Sequence, residues 1–433
     1  MRFSGAPKTA VLYFVCILII STVIVTRGVL RDDGVSGAPI VRPEEPAPPH
    51  REEEGDALPE VSSDDMASAR IAAASINAFA FDLYKELAGG TSSNILFSPY
   101  NLASGFAALR EDSGEYAEGE IKSVFHYREA TPEGISVLAE MFSRTPESFS
   151  VFRTEHALMP GVSADISEEW ASRARGSFDA EVRKLDYRNG SGASGDINRR
   201  AESGAWEGIN SLNGDIGPGS GTLSASAVYF RAEWEYEFPP EHTETGPFYT
   251  AEGTSMDSPL MRRAGSVDYC ETDMFQAVRI PGRKGVYSLI AMLPANKDDL
   301  GAQLLSHELF DQVMESFEKT DALLVIPRFR AEIQYELSDH LRGIGLKNTF
   351  AVKSDSSGIA EGLPGLGKAV HKTVVEVNEK NASSRPESAV IAGAPQEPGP
   401  EWKIFRADHP FLYFIVDGRT NAILAMGRFS WPQ

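Results

Sequence analysis

Ile71, Ile76, Phe79, Leu83 and Leu87 fall at helical spacing on one face and stop at Gly89-Gly90, so a helix is expected there. Asn94-Ile-Leu-Phe-Ser-Pro99 follows as a short strand broken by its proline, and the Ala-rich stretch over 102–109 reads as a buried helix. Further on the pattern turns to strands. They are expected over 222–238, 285–293, 322–329 and 368–379, with a closing pair at 411–416 and 422–430 joined by the turn Asp417-Gly418-Arg419. Helices gather in the first half and strands in the second, the order of a mixed α+β domain and not of an alternating βαβ array. No internal repeat is visible.

The front of the chain departs from this pattern. Arg2 and Lys8 precede an apolar run over 10–25, with a length between a signal-peptide core and a full membrane span. Val25, Thr26 and Arg27 are poor cleavage positions, so residues 1–31 read either as a retained signal-anchor sitting in a membrane or as a cleaved signal peptide. Positive charge ahead of the run predicts an exported body, placed in the secretory pathway, outside the cell or on its membrane. Residues 32–66 carry Pro39, Pro43, Pro46, Pro48, Pro49 and Pro59 among acidic runs such as Glu52-Glu53-Glu54, and are expected to be a solvated, extended tether. The folded domain is expected over 67–433.

Net charge changes the list of partners. At −21, the chain lacks the clustered Lys and Arg that nucleic acid or heparin would need. Of its two cysteines, Cys16 lies in the apolar run, which leaves no disulfide inside the domain, and Cys270 stands beside Glu271 and Asp273. Those neighbours disfavour a thiolate, so Cys270 is expected to be a structural free thiol. The eight histidines show no metal-ligand spacing, and His307-Glu308 lacks the second histidine of a zincin helix. No G-x-S-x-G elbow is present. Gly217-Pro-Gly-Ser-Gly221 and Gly365-Leu-Gly-Lys368 read as turns in preference to phosphate cradles. Neither an enzyme, a metal nor a cofactor is expected.

Several segments in order resemble the serpin family. Asn94-Ile-Leu-Phe-Ser-Pro-Tyr-Asn101 resembles its N-I-hydrophobic-x-S-P-x-S box, and Ala227-Val-Tyr-Phe-Arg-Ala-Glu-Trp234 with Phe238 resembles its N-A-x-Y-F-K-G-x-W-x-x-x-F strand. Ile326-Pro-Arg-Phe329 is similar to the L-P-K-F strand, and Tyr335-Glu-Leu337 follows at the family's distance. The segment from Lys368 to Glu379 resembles the strand leading to the reactive loop, and Ala407-Asp-His-Pro-Phe-Leu-Tyr-Phe-Ile415 with Gly427-Arg-Phe429 resembles the two closing strands. The resemblance implies an α+β serpin fold of three β-sheets and about nine helices with an exposed reactive-centre loop. It also implies a monomer whose loop, once cut by a target protease, inserts into the large sheet with the acyl-enzyme attached.

On that resemblance the hinge comprises Glu379, Lys380, Asn381, Ala382, Ser383, Ser384, Arg385 and Pro386. A strand entering a sheet turns alternate residues to its core. Ala382, Ser384, Pro386, Ser388, Val390 and Ala392 form one such register, all small or uncharged, while Arg385 and Glu387 fall in the other. Asn381 stands where the family has glycine, a mild change because Asn tolerates positive φ. Pro386 is more serious, since it brings no N–H to a ladder. The reactive bond is expected among Ile391, Ala392, Gly393, Ala394, Pro395 and Gln396, a window without Lys or Arg. A serine endopeptidase of elastase- or subtilisin-like preference suits it better than a trypsin-like one, and a cysteine endopeptidase remains open.

The resemblance also implies a sheet-opening latch at Ser98, Asn101, Ser226 and His371, where Asn101 takes the family's second serine position and Ser226 its asparagine position. Trp234 is expected to pack where the loop meets the sheet. Asn189 and Asn381 head glycosylation sequons, and Asn189, in a Gly/Ser loop, is the better acceptor. Two functions stay open: a suicide inhibitor, and a non-inhibitory serpin acting as carrier, storage protein, chaperone or host-interaction surface.

Overall fold

A computed structural model of the chain describes residues 58, 60–110, 113–188, 221–295, 305–351, 365–379 and 401–432. The apolar run at 10–25, the tether over 32–57, Asn189 and the loop over 380–396 lie outside the described residues. The chain divides into two units, Met1–Glu52 and Glu53–Gln433, and every described residue belongs to the second.

The first expected helix is α1, Ser63–Ala88. It starts earlier than its apolar face because the Ser62 hydroxyl accepts the Asp65 N–H and Asp64 and Asp65 favour the positive end of the helix. β1 (Ile95–Phe97) runs into α2 (Pro99–Arg110), where Pro99 occupies a first-turn position whose N–H would be unpaired anyway. Each α2 residue from Pro99 to Leu109 is buried, and small side chains at Ala103, Ser104, Gly105, Ala107 and Ala108 allow close approach on several sides. α3 (Glu115–Val124), α4 (Thr131–Ser143), α5 (Glu168–Phe178), α6 (His307–Glu315) and α7 (Ser338–Gly343) complete seven α-helices among the described residues.

A five-stranded sheet has the order β10 (Phe329–Glu336), β11 (Leu366–Val377), β4 (Thr222–Ala232), β2 (Ser150–Met159), β3 (Ala180–Val182). The remaining strands, β1, β5 (Glu244–Tyr249), β6 (Ser255–Glu271), β7 (Phe275–Pro281), β8 (Tyr287–Pro294), β9 (Glu318–Pro327), β12 (Lys403–Arg406), β13 (Phe411–Asp417) and β14 (Ile423–Phe429), join into a nine-stranded sheet. Of the three expected sheets, two are thus continuous. The cause is β6, whose 17 residues pair with β5 at one end, β7 at the other and β9 between.

The strand expected over 322–329 is divided. β9 ends at Pro327 in one sheet and β10 begins at Phe329 in the other, leaving Arg328 at the corner with its N–H donated to Pro259 O at 2.8 Å. α2 touches β2, β3 and β4 of the smaller sheet and β14 of the larger, so it lies at the core both sheets share. Cys270 is a buried free thiol, and burial pushes its pKa up. Among the described residues no helix is long and apolar enough to cross a membrane.

Candidate functional site at the seam between β4 and β11

β11 and β4 lie side by side and parallel, while β10 pairs antiparallel with β11 and β2 antiparallel with β4. The seam therefore joins two antiparallel pairs, β10–β11 and β4–β2. At its foot Thr222 N–H donates to Gly365 O at 3.0 Å and Gly221 has φ 75°, while Leu366, Gly367 and Lys368 already belong to β11 and residues 217–220 lie outside the described residues. A Cβ on Gly221 would lie 2.6 Å from Gly365 O, so only glycine fits.

Midway up, Ser226 and His371 are Cα partners and their side chains bond, with Oγ 2.7 Å from Nδ1. The other ring nitrogen, Nε2, accepts the Ser98 backbone N–H at 2.9 Å. A backbone N–H can only donate, so Nε2 carries no proton and the neutral ring donates from Nδ1 to Ser226. Thr373 Oγ1, 2.9 Å from Nε2, must also donate. Burial, with His156 nearby, pushes the His371 pKa down to about 3. Ser98 Oγ in turn donates to Leu424 O at 2.6 Å and accepts the Asn101 N–H at 3.2 Å, capping α2.

Three of the four expected latch residues, Ser98, Ser226 and His371, are therefore brought together. The Asn101 side chain is not among them. Its Nδ2 donates to Glu155 O of β2 at 3.4 Å, and its Oδ1 has no partner among the described residues.

His156 extends the latch across the sheet. It is the Cα partner of Ser226 on β2, so His156, Ser226 and His371 form one row across three strands. Its Nε2 lies 2.9 Å from Ser224 Oγ, and burial pushes its pKa down to about 4 against an opposing backbone hydrogen bond at Asn101. The ring rests on α2, where a Cβ on Gly105 would come within 1.4 Å of Cε1. No motif marks His156 in the sequence. The only hint is Gly105 in an otherwise good helix-forming stretch.

At the head of the seam, Trp234 is 1% exposed, packs edge-on against Phe238 and donates from Nε1 to Asn378 O at 2.7 Å. It both packs and holds the chain leaving β11. Glu379, the one hinge residue among the described ones, is buried, and its Oε1 accepts from Thr243 Oγ1 at 2.8 Å and Arg328 Nη1 at 3.2 Å. These side chains border a cavity of about 300 Å³ lined also by Pro240, Thr245 and Pro259. Tyr229 OH bonds Glu376 Oε2 across the seam at 3.2 Å, Arg330 Nε bonds Glu376 Oε1 at 3.0 Å, and Lys372 pairs with Glu332 at 2.6 Å.

This site is a closure between strands: in its Ser226–His371 pair the ring nitrogen donates to the hydroxyl and so does not act as a base toward it. The family model described as Serpin (serine protease inhibitor) matches residues 74–432. A serpin-like protein of Thermococcus kodakarensis is 31% identical over 367 residues, covering 83% of this chain and 85% of that one. Human Serpin B3 is 28% identical, covering 82% of this chain and 97% of its own length. A solved structure of a tumour suppressing serpin superposes with TM-score 0.72 at 22% identity, covering 84% of this chain and 100% of that chain. The chain belongs to the serpin family, and its fold is the serpin fold.

Proposed function

We propose that the chain is a suicide inhibitor of a serine or cysteine endopeptidase, working by cleavage of the loop after Glu379 and its insertion into the β4–β11 seam. The parallel pairing of β4 and β11 is the observation that carries this reading. A chain that leaves the head of β11 and turns back between the two strands runs antiparallel to both. One parallel pairing is exchanged for two antiparallel ones, each slightly more stable per residue. The register of Ala382, Ser384, Pro386, Ser388, Val390 and Ala392 suits entry above the buried row at Ser226 and His371.

The reactive bond falls within Ile391, Ala392, Gly393, Ala394, Pro395 and Gln396, and the target is elastase- or subtilisin-like. The domain works outside the cytoplasm, as a monomer, held or exported by the apolar run at 10–25. Incubation of the purified domain with elastase, subtilisin and trypsin, followed by gel electrophoresis in detergent, tests this directly. A detergent-resistant complex with elastase or subtilisin is expected, and one formed with trypsin alone refutes the assigned specificity. Pro386 favours a second reading, a non-inhibitory serpin that is cut without trapping, because a lost ladder bond costs about 1–3 kcal/mol and slows insertion. Cleavage by every protease with no complex supports that second reading.

A further inference from the structure

Glu233 stands at the head of the seam, one residue past the end of β4, with its side chain 1% exposed. Its Oε1 lies 3.5 Å from Arg231 Nε, and its Oε2 is buried with no partner among the described residues. Its backbone is fixed on both sides: the N–H donates to Ser150 Oγ of β2 at 3.2 Å, and the carbonyl accepts the Arg283 N–H at 2.7 Å from the turn between β7 and β8. Two residues of the same strand end, Arg231 two positions before Glu233 and its chain neighbour Trp234, face β11 and its continuation. Arg231 is the Cα partner of Glu376, and the Trp234 indole holds Asn378. Parting β4 from β11 at the head therefore strips contacts from both sides of Glu233 and admits water to its orphaned oxygen.

We infer that Glu233 makes opening of the seam's head proton-linked: the head stays shut while the carboxyl is neutral and loosens when it ionises. The inference rests on the reading that the seam opens to receive the loop. The charged groups around Glu233 are Arg231 on β4, Glu237 beyond it, Arg283 on the β7–β8 turn, and Glu376 on β11 facing Arg231. Burial pushes the Glu233 carboxyl up to about 7; Arg231 and Arg283 oppose that shift and Glu237 adds to it. The raised value fixes the sign. The closed head holds a proton that the open, hydrated head releases, so closure is strongest below the ordinary carboxylate range and weakens as pH rises to about 7. His371 and His156, pushed down to about 3 and about 4, are already neutral across that window.

Amide hydrogen exchange of Phe230, Arg231, Val375 and Val377, corrected for the intrinsic pH dependence of exchange, reads the opening without any protease. In the wild type the opening constant is expected to rise up to about 100-fold between about pH 5 and about pH 7 and then level off, while Glu233→Gln stays flat at the acidic value. Identical pH profiles in the two proteins overturn the inference. Should Glu233→Gln fail to fold, infrared titration of wild-type protein carrying labelled glutamate decides. A buried carboxyl titrating near neutrality supports the inference, and its absence overturns it. A peptide of residues 381–392 offered to the same samples separates the two readings: pH-linked exchange without peptide uptake leaves the proton linkage standing and removes the insertion reading.

Discussion

His371 on β11 and Ser226 on β4 share one hydrogen bond across the seam, 2.7 Å from Nδ1 to Oγ, and its direction is fixed because Nε2 must accept from the Ser98 backbone. Removing the serine hydroxyl leaves a buried ring N–H unpaired. Ser226→Ala is therefore expected to cost about 1–3 kcal/mol in denaturant unfolding and to speed uptake of a loop peptide. Unchanged stability together with an unchanged uptake rate contradicts the role given to this bond.

Acid weakens the same row. His371 and His156 have pKa values pushed down to about 3 and about 4 from an ordinary 6.5, so both are neutral in the fold and gain protons more readily when unfolded. Their contribution is intact above about 6.5 and drains as pH falls, by about 1.4 kcal/mol per pH unit for each ring until its folded value is reached. Glu233 acts in the opposite sense between the ordinary carboxylate range and about 7. Stability against pH in His156→Gln and wild type separates the terms, and the variant's curve is expected to fall less steeply in acid.

Gly105 is where α2 makes room for His156. An alanine on an exposed helix face would stabilise by about 1 kcal/mol, but here its Cβ would sit 1.4 Å from the imidazole Cε1. Gly105→Ala is expected to destabilise by about 1–3 kcal/mol in the wild type and to be neutral or stabilising in a His156→Ala background. Additive effects in the double-mutant cycle would show that ring and helix do not meet as described.

Much of this was legible in the sequence, and the limits are physical. α2, β8 and the β13–β14 pair follow from local spacing of apolar side chains, which is why their expected and observed positions agree to within a few residues, whereas α1 begins ahead of its apolar face because its start is set by capping at Ser62. Ser98, Ser226 and His371 were reachable through the family's motifs. Asn101 shared that motif, but its side chain turns to Glu155 on β2, a long-range contact that spacing does not reveal. His156 carries no local signature and acquires its place only when β2 pairs with β4. The joining of two sheets through β6 is likewise a matter of pairing between distant strands, and the corner at Pro327 and Arg328, which splits β9 from β10, lay inside a stretch expected to be one strand.

That corner supports the hinge. Arg328 reaches Glu379 from the turn between the two sheets, and Glu379 is only 7% exposed while the Arg328 side chain is 51% exposed. Arg328→Ala returns Glu379 to its Thr243 bond and is expected to cost about 1 kcal/mol or less. Arg328→Glu sets like charges at the hinge and is expected to destabilise more and to raise protease sensitivity after Val377. Equal effects of the two substitutions in chemical unfolding and limited proteolysis count against the pairing.

The loop's ability to enter the seam is tested most directly by cutting it once. A single nick within residues 391–396, followed by thermal unfolding of the nicked and intact domains, is expected to raise the unfolding midpoint by tens of degrees, because a sixth strand would exchange the parallel pairing of β4 and β11 for two antiparallel ones. An unchanged midpoint after complete cleavage contradicts insertion and leaves the seam a closed structural joint.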